Sequence, residues 1–159
     1  MKRLNKQIAA YTQQLRLGEI QMAYKGILAF IGKLRAAFIK KYPHYDVSNI
    51  YQGYLDMSYF SLSTPLLKDN GLKIAIVYLH EKGTFEVWLS ARNRDIARNH
   101  QAILDSLSGE INVFHDRNNQ DAIAECILTG TPDFEEQAQL INSIDQSVEK
   151  FVAAIINLI

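Results

Sequence analysis

The chain has 159 residues, 48% of them apolar and 21% charged, and its 17 lysines and arginines balance 17 aspartates and glutamates. That composition belongs to an ordinary folded domain and excludes a disordered chain, a collagen-like repeat and a strongly charged nucleic-acid tail. The zero net charge is a cancellation: residues 1–41 carry nine cations against Glu19, residues 42–99 carry six charges of each sign, and residues 100–159 carry Arg117 and Lys150 against ten acids.

Leu4, Ile8, Tyr11 and Leu15 recur at the spacing of one helical face, which predicts an amphipathic helix over 3–16, with Lys2, Lys6 and Gln13 on the opposite side. Gly18 is a stop. A longer helix follows over about 19–42, with Ile20, Tyr24, Ile27, Leu28, Ile31, Leu34 and Phe38 inward, and Tyr42-Pro43 ends it. The tight turn between the two predicts an antiparallel pair. Three strands come next: 54–62, rich in aromatics; 72–79, apolar on nearly both faces; and 85–89, alternating with Glu86 and Trp88, after the loop His80–Gly83. These form a β-meander. A third helix is expected over 93–107, with Ile96, His100, Ile103 and Leu107 inward and His100 as a satisfied core histidine. A short strand around 111–115 and a turn through Asp116–Asn119 follow. The run 122–128 fits helix or strand, and the flanking turn signals favour strand. Thr131 as cap and Pro132 at the first position open the last helix, whose apolar face runs from Phe134 and Ile141 to Ile155 and Ile159. The fold class is α+β, in the order α-α-β-β-β-α-β-β-α, as a single domain over 1–159.

A chain of this length buries roughly 70% of the surface its unfolded form exposes, and so requires no disulfide or metal for stability. The lone Cys126, between Ala124 and Leu128, reads as a small buried residue of a reduced, cytoplasmic protein. The N-terminus, with Lys2, Arg3 and Lys6, lacks the continuous apolar run expected of a secretory signal, and no stretch approaches the roughly 18 apolar residues of a membrane span.

The string Tyr51-Gln52-Gly53-Tyr54-Leu55-Asp56-Met57-Ser58-Tyr59-Phe60 resembles a family of small uncharacterised prokaryotic proteins. Lys73–Val77 with Phe85–Leu89, and the Pro132-Asp133-Phe134 start of the last helix, are similar to it as well. The resemblance implies one compact domain over essentially the whole chain. The family carries no assigned activity, so it transfers no catalytic residue and no cofactor.

Several constellations bear on function. Arg92, Arg94 and Arg98 surround the start of the third helix, where cations oppose the helix dipole by about 0.3–1 kcal/mol each. With Asn93 as cap they form an anion site; the plainer reading pairs them with the acidic last third or with solvent. Tyr42, Tyr45, Tyr51, Tyr54 and Tyr59 fall close together, and with Asp56, Glu86 and Trp88 on outward-alternating positions they suit a ligand groove, or equally a covered sheet face or a dimer interface. The element order also occurs in nucleases that carry an Asp and a Glu-x-Lys on adjacent strands. Here Glu86-Val87-Trp88 puts tryptophan in the lysine position, and Asp56 sits on the wrong strand. His44, His80, His100 and His115 have no metal-ligand spacing, and His115-Asp116 is a weak acid–base candidate. Nucleophile elbow, Walker loop and dinucleotide fingerprint are missing from the sequence.

The reading these observations favour is a cytoplasmic α+β domain that acts by binding rather than by catalysis, with a second copy of itself as partner. One alternative is an anionic small-molecule site, phosphate or carboxylate, at Arg92, Asn93, Arg94 and Arg98, as a binding domain or enzyme. The other is a degenerate nuclease-like fold holding nucleic acid, which the acidic last third disfavours. No metal, cofactor or membrane is expected.

Overall fold

The computed structural model describes residues 2–107 and 112–159. Its elements are α1 (Arg3–Arg16), α2 (Glu19–Lys41), β1 (Asp46–Val47), β2 (Met57–Ser63), α3 (Pro65–Asp69), β3 (Leu72–Leu79), β4 (Thr84–Ala91), α4 (Arg94–Asn99), α5 (Ala102–Leu107), β5 (Val113–Phe114), β6 (Ala124–Thr129) and α6 (Gln137–Ile156). The strands make one antiparallel sheet of six, in the order β1-β2-β3-β4-β6-β5. The α+β architecture and the β2-β3-β4 meander agree with the sequence reading.

Strand alternation divides the sheet into two faces. Phe60, Leu62, Ile74, Ile76, Phe85, Val87 and Leu89 project to one side and meet Phe30, Leu34 and Phe38 of α2 and Ile144, Val148, Phe151 and Ile155 of α6 in the main core. Ala75, Val77 and Trp88 project to the other, where with Ala122, Met57, Tyr59 and Leu79 they form a smaller apolar cluster. Burial of β3 on both faces follows from this. Lys41 and Tyr42 tie α2 to α6 through Asp145, at 2.5 and 2.8 Å. Burial and that hydrogen bond push the Tyr42 hydroxyl up to about 12.

The structure corrects several expectations. The first meander strand begins at Met57, because residues 54–56 form a bend in which Asp56 Oδ1 accepts the Tyr54 N–H at 2.8 Å. β1 and α3 have no counterpart in the sequence reading. The Thr-Pro string that caps a helix is Thr64-Pro65, whose hydroxyl accepts the Leu67 N–H at 3.2 Å. At the second Thr-Pro, the helix begins only at Gln137, because Phe134 leaves the helical path to pack between Phe30, Tyr78 and Phe85. The helix expected over 93–107 is two short ones, α4 and α5. His100 breaks it: its ring Nδ1 lies 2.9 Å from the Ile96 carbonyl, and it is half-buried rather than in the core. Cys126 is likewise half-buried. The strand expected around 111–115 is Val113–Phe114, and Ile111 lies outside the described residues. Finally, α1 forms as expected but buries none of its side chains.

Candidate functional site

The sheet face that neither α2 nor α6 covers holds two cavities, of about 310 and 450 Å³, both lined by Met57 and Trp88. The smaller one exists because β3 places Ala75 and Val77 there. Ala75 is the register partner of Trp88, so the indole stands beside empty volume rather than a large neighbour. A segment after β5, residues 116–123, supplies the outer wall of both.

The two cavities carry opposite charge. The smaller one is lined by Lys73, Arg92 and Arg94 against Asp121. Arg92 and Arg94 are exposed, and neither has an ion-pair partner among the described residues. Arg94 Nη2 donates to Gln120 Oε1 at 2.9 Å, which aims the guanidinium without neutralising it. The Arg92 backbone N–H donates to the Gly71 carbonyl at 2.8 Å. Gly71 has a positive φ of 69°, which favours glycine, and a Cβ there would fall 2.5 Å from Ile96 Cδ1, so that side chain would have to shift.

The larger cavity is lined by Asp56, Glu81, Glu86, Asp116 and Glu125 against Lys82, with Tyr54 and Trp88. Glu86 is 3% and Glu125 1% exposed, which is rare for carboxylates unless hydrogen bonds compensate. Glu86 Oε1 accepts the Trp88 indole N–H at 2.9 Å. Glu125 accepts from Asn119 Nδ2 at 2.9 Å and the Asp116 N–H at 3.3 Å, and meets His115 Nδ1 at 3.2 Å. Burial outweighs those bonds and pushes the Glu125 carboxyl above the ordinary glutamate range. Backbone N–H groups of Tyr54 and Met57 hold Asp56 below the ordinary range.

Seven of the eight residues singled out in the sequence therefore line one or other of these two adjoining cavities: Arg92, Asn93, Arg94 and Trp88 the first, and Tyr54, Asp56, Glu86 and again Trp88 the second. Arg98 does not join them. It is 75% exposed and pairs with Asp95. Asn93 Oδ1 is committed to the Ile96 N–H at 2.9 Å, and α4 spans six residues, so the cationic end rests on side chains and not on a helix terminus. Glu86 and Trp88, expected on an outward face, are buried within it. Tyr42 and Tyr45 stack on each other at 4.7 Å against the main core, away from the site. His115 pairs with Glu125 rather than with Asp116. Lys73 and Glu125 were not selected from the sequence. Each is a lone charge inside an apolar strand run, and that signal could have found them.

Two chemistries can be checked directly. Ser58 Oγ lies 2.8 Å from His80 Nε2, a serine–histidine pair by distance. Its proton goes to the Gln52 carbonyl at 2.5 Å, however, and Ser58 is fully buried, so the pair fastens the 52–56 loop rather than arming a nucleophile. Among the described residues no group of three His, Cys, Asp or Glu side chains is placed to hold a metal ion.

A family model matches residues 4–159, and its description is Domain of unknown function (DUF7000). The chain belongs to this family. No curated protein and no solved structure matches it. Among the described residues no helix is long and apolar enough to cross a membrane.

Proposed function

We propose that this DUF7000 chain is a small-molecule binding domain whose ligand carries an anionic group and an apolar or aromatic body. The anion meets Lys73, Arg92 and Arg94, the body lies along Trp88, and hydrogen-bond donors at its far end face Glu86 and Glu125. One observation carries this reading: a cation-lined cavity and a carboxylate-lined cavity share the same tryptophan wall. Binding rather than catalysis is supported by the committed state of the reactive groups, since Ser58, Glu86 and Glu125 each spend polar atoms on internal hydrogen bonds. A reducing, cytoplasmic setting suits Cys126, whose thiol burial and the Glu86 charge push above the ordinary range, away from the reactive thiolate.

The test is a thermal-shift series with inorganic phosphate, citrate and AMP as probes, run on the wild type and on an Arg92→Ala/Arg94→Ala variant. A probe at about 100 times its Kd adds roughly 2.7 kcal/mol, or some 5–11 °C for a domain of this size. The shift is expected in the wild type and lost in the variant. Absence of any shift, or an equal shift in both proteins, overturns the proposal.

A further inference from the structure

The two buried glutamates of the larger cavity are not equally served. Glu125 meets three polar neighbours, Asn119 Nδ2, the Asp116 N–H and His115 Nδ1. Glu86, just as deeply buried, has one donor, the Trp88 indole N–H on Oε1 at 2.9 Å. Among the described residues its other oxygen, Oε2, accepts from no group, and its side chain forms no ion pair. Lys82, which lines the same cavity, does not supply the missing charge, since it is exposed and forms no ion pair among the described residues. Strand register adds to the imbalance. Glu86 pairs with Ile127 and Trp88 with Glu125, so the two carboxylates are diagonal neighbours on one face of the sheet. A carboxylate taken out of water is ordinarily paired, because the uncompensated charge is costly. Glu86 lines the cavity with its pairing incomplete.

We propose that the larger cavity takes an organic cation, an ammonium or guanidinium, whose N–H groups complete the pairing of Glu86 at Oε2. This rests on the reading of the two cavities as a ligand site, and makes that ligand a zwitterion, anionic against Lys73, Arg92 and Arg94 and cationic against Glu86. Charge favours the occupant. Asp56, Glu81 and Asp116, all exposed, stand around the cavity with Glu86 and Glu125, and Lys82 is the cation that lines it with them. The field of such a cleft concentrates cations. Donor geometry favours an organic cation over a metal ion. Calcium and magnesium demand a shell of about six or more oxygens. Among the described residues no three His, Cys, Asp or Glu side chains are placed to hold a metal. An ammonium or guanidinium needs less: a desolvated carboxylate to accept its N–H bonds and apolar surface for its carbon atoms. Met57, Leu79 and Phe114 supply that surface. The rings of Trp88 and Tyr54 line the same cavity, and aromatic faces attract cations.

Thermal-shift titrations of the full chain with putrescine and agmatine test it, against the diol analogue of putrescine and against sodium chloride at equal ionic strength. Both amines are expected to raise the Tm of the wild type, and the diol and the salt are not. Glu86→Gln keeps an acceptor for the Trp88 indole while removing the charge, and is expected to weaken both amines by about tenfold or more. Glu149→Gln, an exposed acid of α6 on the other side of the sheet, is expected to keep the wild-type response. The comparison of amine with diol needs no variant, so it decides the matter even if Glu86→Gln does not fold. No amine shift, or an equal shift from the diol, overturns the proposal, as does undiminished amine binding in a folded Glu86→Gln or an equal loss in Glu149→Gln. So does a shift from magnesium or calcium chloride, but not from the amines, since the site then serves a metal. A wild type that answers phosphate, citrate or AMP but neither amine overturns this inference and leaves the anion reading standing. One that answers the amines alone upholds the cation site and overturns the anionic half of the ligand.

Discussion

Replacing Gly53 with alanine should cost far more stability than the same change at Gly83, although both glycines have similar backbone angles. Gly53 has φ of 75° and Gly83 φ of 67°, so alanine at either position incurs the roughly 1 kcal/mol cost of a left-handed L-residue. The surroundings differ. At Gly83 the nearest atom to a new Cβ is Tyr78 Oη at 3.9 Å, an ordinary contact. At Gly53 the Cβ would fall 1.9 Å from the Met57 carbonyl oxygen, a backbone atom that cannot rotate away. Relief requires the 53–57 loop to open by more than an ångström. That strains the Tyr54 N–H bond to Asp56 Oδ1 at 2.8 Å and the His80 N–H bond to the Asp56 carbonyl at 3.0 Å. At about 1 kcal/mol per hydrogen bond, Gly53→Ala totals about 3 kcal/mol against about 1 for Gly83→Ala. In this size range that is a fall of about 6–12 °C in Tm against about 2–4 °C. Gly26→Ala, in the exposed part of α2 with nothing near its Cβ, should instead stabilise by up to about 1 kcal/mol. Urea midpoints of the three variants check the series. Equal losses at Gly53 and Gly83 would refute the steric argument, and with it the geometry assigned to the wall carrying Tyr54 and Asp56.

Other outcomes follow from the site and its supports. Trp88→Phe removes the indole donor from the buried Glu86 carboxylate and should cost about 1–3 kcal/mol, with a smaller added loss when Glu86→Gln is combined with it, as a double-mutant cycle in urea would read. Asp145→Asn should lower the Tyr42 phenol from about 12 toward, but not to, its ordinary value of 10.0, because burial is the larger cause and remains; ultraviolet titration of the folded protein measures it. Glu125 titrates higher folded than unfolded, so its contribution to stability is complete below the ordinary glutamate value of 4.5 and is lost as pH rises through the elevated folded value. Glu125→Gln should therefore flatten the stability curve between 4.5 and that elevated value, and a curve that keeps the wild-type slope there contradicts the assignment.

The sheet was legible because its signals are local. Residues 72–79 and 84–91 alternate or saturate with apolar side chains, and a four-residue loop joins them. The helix termini were less so, because tertiary contacts decided them. Thr131-Pro132 has every mark of a helix start, yet Phe134 gains more by filling the space between Phe30 and Phe85 than by continuing a helical turn. The arginines were noticed for opposing a helix dipole, but that reason did not single out the two that matter. Arg98, one turn along, pairs locally with Asp95, while Lys73, from a strand some twenty residues earlier, faces the same cavity as Arg92 and Arg94. Such a site is assembled by strand register, which sequence periodicity places on a face but not beside a particular neighbour.

The balance of charge between the two ends of the chain has a physical consequence that salt can read. Of the nine cations in residues 1–41, Lys41 forms an ion pair, with Asp145, while the four along α1 have no such partner among the described residues. Although α2 packs on α6 in the core, the opening helices are thus ion-paired to the acidic third at one point among the described residues. Two ways of covering α1 then differ in sign. If two copies of the chain pair through the apolar face of α1, eight like charges gather around the pair, and their mutual repulsion opposes association. Raising the salt shortens the Debye length from about 10 Å at 0.1 M to about 3 Å at 1 M, which relieves that repulsion and also favours apolar burial. If α1 instead lay on the acidic last third of a second copy, the same salt would screen an attraction and loosen the complex. Sedimentation of the wild type across this range separates the two: association that strengthens with salt is expected for pairing through α1. Weakening would mean that α1 recognises acidic surface, and that the opposed charges of the two ends complement each other between chains rather than within one.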